Sequence, residues 1–332
     1  MLRTLVRTTL GAILGAGLGL SLGLCGATAQ DWPTRPVTMI VPFAAGGPTD
    51  VLGRIMAERM SQILGQQVVV ENVGGAGGGT GSLRAARAQP DGYTFLLGTV
   101  GTHAQNQTLY KKPLYNAATD FQPVGLIAEV PLILITRKDL PVNNFEEFAA
   151  YAKANRDKMT YGSAGAGSAT HLGCVLLDSA LGTNIQHVPY RGTGPAMQDL
   201  QAGRIDFLCE IVSTALPQIQ GGTVKAIATM TKERSPVLPE LPTIHEKGIP
   251  NFEALTWNAF FLPKGTPEPI VRKLNDAMVQ AMETPAVKER LQTLGAMLVA
   301  PERRSPEYLA RFVQSEIEKW AAPIRASGVS VE

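Results

Sequence analysis

Short apolar runs alternate with amphipathic stretches along most of the chain. Val37–Phe43 is rich in Val and Ile and bounded by proline, which predicts a buried strand. Leu52, Ile55, Met56, Met60, Ile63 and Leu64 then repeat at helical spacing up to Gly65, with Asp50 placed to cap the helix start. The alternation continues with strands at 67–71, 93–97, 132–136, 159–161, 185–188, 205–209 and 224–230. Helices are expected between them at 80–88, 145–154, 169–181 and 195–202. Such strand–helix alternation predicts an α/β fold with mostly parallel sheets. The end of the chain is different. Pro267, Pro285 and the Ser305-Pro306 pair each open an amphipathic helix, so a helical tail returns onto the first α/β unit.

Composition narrows the class. The 332 residues suggest about two domains. Charged residues make up only 17%, which is too few for a disordered polyelectrolyte. Thirty basic residues against 28 acidic ones argue against a nucleic-acid footprint.

The first segment reads as an export signal. Arg3 and Arg7 precede an uncharged apolar stretch at 8–24, and Ala27-Thr28-Ala29 provides a small-residue cleavage site. The expectation is a signal peptide over 1–29 and a periplasmic mature chain. Cleavage there removes two of the 30 basic residues and none of the 28 acidic ones, so the mature net charge is zero. Of the three cysteines, Cys25 falls in the leader. Cys174 and Cys209 remain, each in an apolar run. In an oxidising compartment they could pair; the reading favoured here is two buried thiols.

Two glycine loops carry the candidate chemistry. Ala44-Ala45-Gly46-Gly47-Pro48-Thr49-Asp50 and Gly162-Ser163-Ala164-Gly165-Ala166-Gly167-Ser168 each join a predicted strand to a predicted helix. Glycine admits close backbone approach, and free N–H groups at a helix start favour an anion. One such loop in each α/β unit would place two anion sites across a cleft. A third run, Gly74–Gly81, has neither a dinucleotide register nor a phosphate-loop lysine and reads as a surface connection or a close packing point. The four histidines show no short metal-ligand spacing, and no nucleophile elbow occurs. No catalytic residue, metal or cofactor is therefore expected. Ser168, His171 and Glu210 form the set that an exported hydrolase would need, which is the alternative reading. Arg191 is a candidate carboxylate fork.

Eight stretches in order, among them VPFAAGGPTDVLGR (41–54), VENVGGAGGGTGS (70–82), YGSAGAGSATHL (161–172) and VPYRGTGPAMQDLQAGRIDF (188–207), resemble the extracytoplasmic receptors of tripartite tricarboxylate transporters, the Bug receptors. The resemblance implies a two-lobed type 2 periplasmic binding protein of Venus-flytrap form. Lobe one would be 30–133 plus 260–332, and lobe two 134–259. It implies capture of a small mono-, di- or tricarboxylate between the lobes through backbone N–H groups and ordered water. The partner would be a two-subunit membrane permease; a sensor role in signalling is a further alternative. The expected ligand-binding set is Phe43, Ala45, Gly46, Gly47, Asp50, Ser163, Gly165, Gly167, Ser168, His171, Arg191 and Glu210. Thr99, Gly101, Thr102 and His103 are carried over from the family's ligand-side loop. Two departures from the commoner pattern are Gly53, where alanine is usual, and Cys209-Glu210, where a stretch containing Asp is usual.

Overall fold

The structure, a computed structural model, describes residues 32–332. The expected signal peptide and Cys25 lie outside the described residues. Pro33–Glu332 form one compact unit.

The elements run β1 (Val37–Val41), α1 (Pro48–Leu64), β2 (Val68–Asn72), α2 (Gly79–Ala86), β3 (Thr94–Thr99), α3 (Asn106–Leu109) and β4 (Phe121–Arg137). Next come α4 (Phe145–Asn155), β5 (Thr160–Ser163), α5 (Ala169–Leu181), β6 (Gln186–Pro189), α6 (Thr193–Gln201), β7 (Phe207–Ile211), α7 (Val212–Gln220) and β8 (Val224–Thr229). The last are β9 (Leu255–Pro263), α8 (Glu268–Glu283), α9 (Pro285–Thr293), β10 (Met297–Leu298) and α10 (Pro306–Ser327). The strands form a mixed sheet of order β2-β1-β3-β9-β4-β7-β5-β6, with β8 and β10 also paired to β4.

Two half-sheets build two lobes. In the first, β1 pairs in parallel with β2 and β3, and β3 pairs antiparallel with β9. In the second, β5 pairs in parallel with β6 and β7. The expected parallel pairing thus holds on the outer strands, while β4 and β9 are antiparallel to their neighbours. β4 belongs to both halves. Its residues 121–131 pair with β9, and from Leu132 onward it pairs with β7. Pro131 stands at the exchange, and Pro123 stands at a register shift, two places where a strand tolerates a missing N–H.

Helix ends follow local chemistry. α1 starts at Pro48, three residues earlier than the apolar pattern suggests, because proline's fixed φ suits the first helical position. Gly47 is therefore the cap, and Asp50, expected as the cap, sits in the first turn. Its carboxylate reaches back to Gly46 N (3.0 Å) and also accepts from Arg54 Nε and Asn72 Nδ2. Burial pushes this carboxyl up, but those three bonds together hold it below the usual range. α5 is capped by Ser168, whose Oγ accepts from His171 N at 3.2 Å. α10 buries Leu309, Val313, Trp320 and Ile324 along one face. Its Glu316 accepts from the indoles of Trp257 on β9 and Trp320, which ties the returning tail to a strand of the first half-sheet.

The cysteine expectation is corrected. Cys174 on α5 and Cys209 on β7 are buried, as expected, but they are joined as a disulfide with a Cα–Cα separation of 5.5 Å. Gly173 makes the approach possible: a Cβ there would stand 2.6 Å from Leu132 and 3.5 Å from Cys209 Cβ. Among the described residues no helix is long and apolar enough to cross a membrane.

Candidate functional site

A small cavity lies between the two half-sheets. The first lobe contributes Phe43 after β1, Gly47, Pro48 and Thr49 at the start of α1, and Thr99 at the end of β3. The second contributes Ala164, Ser168, Ala169 and Thr170 around the start of α5, with Thr193 and Ile211. Thr256 on β9 completes the wall. This lining contains no charged side chain.

Two helix starts point into the same space. The first N–H groups of α1 and α5 have no partner one turn earlier, and both macrodipoles favour negative charge there. Their caps differ. Gly47 makes no side-chain cap bond. On the α5 side, Ser168 Oγ bonds His171 N and Thr170 Oγ1, and Thr170 Oγ1 also accepts from Ala164 N at 3.0 Å.

The second-lobe loop is held from behind. His171 Nδ1 accepts from Gly167 N (3.2 Å), and His187 Nε2 bonds Ser163 Oγ (2.6 Å), which in turn accepts from Gly165 N. The two rings lie 4.3 Å apart between centroids. Burial drives His171 down to about 3, with the neighbouring His187 adding to the effect, and burial drives His187 down to about 4. Both are neutral at pH 7, as an Nδ1 acceptor requires. They face a separate polar cavity with Tyr161 and Asp178.

Glu210 is completely buried on β7. Its Oε1 accepts from Thr193 Oγ1 (3.0 Å), Ile211 N (3.0 Å) and Thr214 Oγ1 (2.8 Å), and its Oε2 has no partner. Burial pushes the carboxyl up to about 7 against the pull of those three bonds.

The closed arrangement depends on glycine. Ala44 N donates to Arg191 O (2.9 Å), and Tyr110 Oη donates to Ala166 O (2.9 Å). The run 74–79 is a packing point: Gly77 has φ +58°, and a Cβ on it would overlap the Ala166 carbonyl oxygen. A Cβ on Gly74 would come within 2.5 Å of Arg191 O.

Of the expected set, Phe43, Gly47, Thr99 and Ser168 line the cavity. Ala45, Gly46 and Glu210 line a neighbouring opening. Asp50, Ser163, Gly165 and Gly167 shape the two loops from outside the lining. Gly101 packs against Gly167 O, where a Cβ would stand 2.8 Å away. Thr102 bonds Thr99 N and His103 Nδ1. His103 is buried in an aromatic cluster, stacked at 3.7 Å on Phe261, and burial drives it down to about 3. Arg191 is exposed; its backbone carbonyl, not its guanidinium, meets the first lobe. Thr49, Thr170, Thr193, Ile211 and Thr256 were not anticipated. Thr49 lies within the first glycine loop and Thr170 two residues after the second, so the sequence holds a local signal for both.

Ser168, His171 and Glu210 do not form a relay. Ser168 Oγ meets the His171 backbone, and Glu210 bonds elsewhere. Among the described residues no group of three His, Cys, Asp or Glu could hold a metal.

Two lobes on mixed half-sheets, sharing a strand and closing on an uncharged cavity at two helix starts, define a periplasmic-type solute-binding protein. The family described as "Tripartite tricarboxylate transporter family receptor" matches residues 52–329, and the chain belongs to it. A UPF0065 protein from the TAR-I ttuE-ttuC' intergenic region of Agrobacterium vitis is 45% identical over 91% of this chain and 87% of its own. The structure of the periplasmic binding protein BugD is 44% identical, covers 91% of this chain and 100% of its own, and superposes with a TM-score of 0.88. MatC of Rhodopseudomonas palustris, solved with bound malate, is 42% identical over 88% of this chain and 99% of its own, with a TM-score of 0.85.

Proposed function

We propose that this chain is a periplasmic, non-catalytic receptor that captures a small organic carboxylate in the interlobe cavity and delivers it to a two-subunit membrane permease. One observation carries the reading: two helix starts from opposite lobes converge on a cavity with hydroxyls and no charged side chain. Backbone N–H groups at Thr49, Asp50, Ala169 and Thr170 are the donors for carboxylate oxygens, assisted by the Thr49 and Thr99 hydroxyls. Malate in a relative 42% identical supports the same ligand class. Lobe one is assigned to 30–133 plus 260–332 and lobe two to 134–259, with the leader 1–29 removed on export. The lobes close over the ligand, and the closed form docks on the permease.

The test is a calorimetric titration of purified protein with mono-, di- and tricarboxylates, with the acid followed by NMR. Saturable one-to-one binding of at least one acid, recovered chemically unchanged, is expected. Absence of heat with every acid, or turnover of the bound one, overturns the reading.

A further inference from the structure

Away from the crossing strands β4 and β9, two hydrogen bonds among the described residues join the lobes. Ala44 N to Arg191 O runs from backbone to backbone, so no side chain controls it. The other depends on one hydroxyl: Tyr110 Oη, from the first lobe, donates to Ala166 O of the second at 2.9 Å. Ala166 sits between Ala164 and Ser168, which both line the cavity. The glycines on either side of it, Gly165 and Gly167, hold φ at +107° and +87°. No backbone N–H among the described residues reaches the Ala166 carbonyl, so Tyr110 is its donor.

The donor is set in place from its own lobe. Tyr110 follows α3 with an extended backbone, φ −85° and ψ 129°. Val331 clamps that backbone: Val331 N donates to Leu109 O and Lys111 N donates to Val331 O, each at 2.9 Å. The ring lies along the second-lobe loop, since a Cβ on Gly167 would stand 3.0 Å from Tyr110 Cε2. A clamped segment offers its hydroxyl without first being ordered. When the lobes part, Tyr110 Oη and Ala166 O both return to water, so the bond belongs to the closed form alone. We infer that Tyr110 is a closure latch, a positioning residue whose hydroxyl holds the Ala164–Ser168 wall over the bound acid and slows its escape. The inference rests on the carboxylate reading above and assigns a residue to its release step. A bond made only after closure adds little to encounter and shows in dissociation.

The test compares the native protein with Tyr110→Phe, which keeps the ring and removes the hydroxyl, against lactate, succinate, malate and citrate. For the acid that binds most tightly, Tyr110→Phe is expected to raise the dissociation rate about three- to tenfold in stopped-flow tryptophan fluorescence. The association rate is expected to stay within about twofold, so the calorimetric Kd rises by nearly the same factor as the dissociation rate. The melting temperature without ligand is expected to match the native value, which a merely structural bond would not allow. An unchanged dissociation rate overturns the latch while the carboxylate reading stands. So does a melting temperature that falls as far without ligand as with it, because the bond then belongs to the fold and not to closure. Binding of none of the acids by the native protein overturns both.

Discussion

The two walls of the cavity are built on opposite plans. The first-lobe wall is bare: Gly47 caps α1 without a side chain, Pro48 contributes no N–H, and closure relies on glycines lying against carbonyls. The second-lobe wall is wired. Ser168, Thr170, His171, Ser163, His187, Thr193 and Glu210 are all bonded before a ligand arrives, and a disulfide braces α5 to β7 behind them. A bare wall keeps its donors free and can approach closely; a wired wall keeps its shape and fixes which groups face the ligand.

The largest expected effect breaks the bare wall. Gly77→Ala places a Cβ on the Ala166 carbonyl at a left-handed backbone position, so the closed form is lost. Affinity is expected to fall about a thousandfold with the fold intact. Calorimetry reads the loss, and small-angle scattering reads lobes that stay open with ligand present. Native affinity in this variant would mean that the glycine run plays no part in closure.

Removing the brace comes next. Cys174→Ala with Cys209→Ala is expected to cost about 2–4 kcal/mol of stability in chemical denaturation, since the bridge closes a 35-residue separation. Equal stability of the native protein with and without reductant would contradict the brace.

Glu210 separates the walls by pH. Its folded value near 7 lies above the unfolded 4.5, so the buried acid form contributes stability that is present at low pH and fades as pH rises through 7. The melting temperature of the native protein relative to Glu210→Gln is expected to drop between pH 5 and pH 8, by the equivalent of about 2–3 kcal/mol. The depressed histidines act in the opposite sense: their contribution is present above pH 6.5 and lost as pH falls toward 4. Taking the difference between the two proteins cancels that term. A flat difference would place Glu210 in contact with water.

The smallest effect compares the caps. Ser168→Ala should cost about 1 kcal/mol, because His171 N loses its acceptor. Gly47→Ala should cost less, about 0.5 kcal/mol, because alanine is the poorer cap but no side-chain bond is lost and a Cβ there meets only ordinary contacts. Paired thermal melts check both, and equal costs would erase the contrast between the walls.

Much of this was legible in the sequence, and the gaps have physical causes. Helix 169–181 could be read to the residue because Ser168 caps it, Gly182 ends it and apolar spacing fills it. The first half of β4 could not, because Pro123, Gly125 and Pro131 read as breaks until register shifts and the change of partner strand accommodate them. Both glycine loops pointed to the cavity. Thr193, Ile211 and Thr256 did not, since they reach it from three separate elements and carry no local signature. Arg191 and His103 stand outside the cavity lining for opposite reasons: one is exposed, and the other follows a ligand-side strand yet turns into the aromatic core. The buried cysteines were visible, but their bond depends on how closely Gly173 lets α5 approach β7.

The central claim is that a carboxylate occupies the space between these walls, and native mass spectrometry of the purified protein tests it most directly. The account predicts a one-to-one non-covalent adduct that gives an intact small acid on mild denaturation and is absent from Gly77→Ala. A protein that shows no adduct after incubation with any carboxylate, or whose Gly77→Ala variant carries the same adduct, contradicts it.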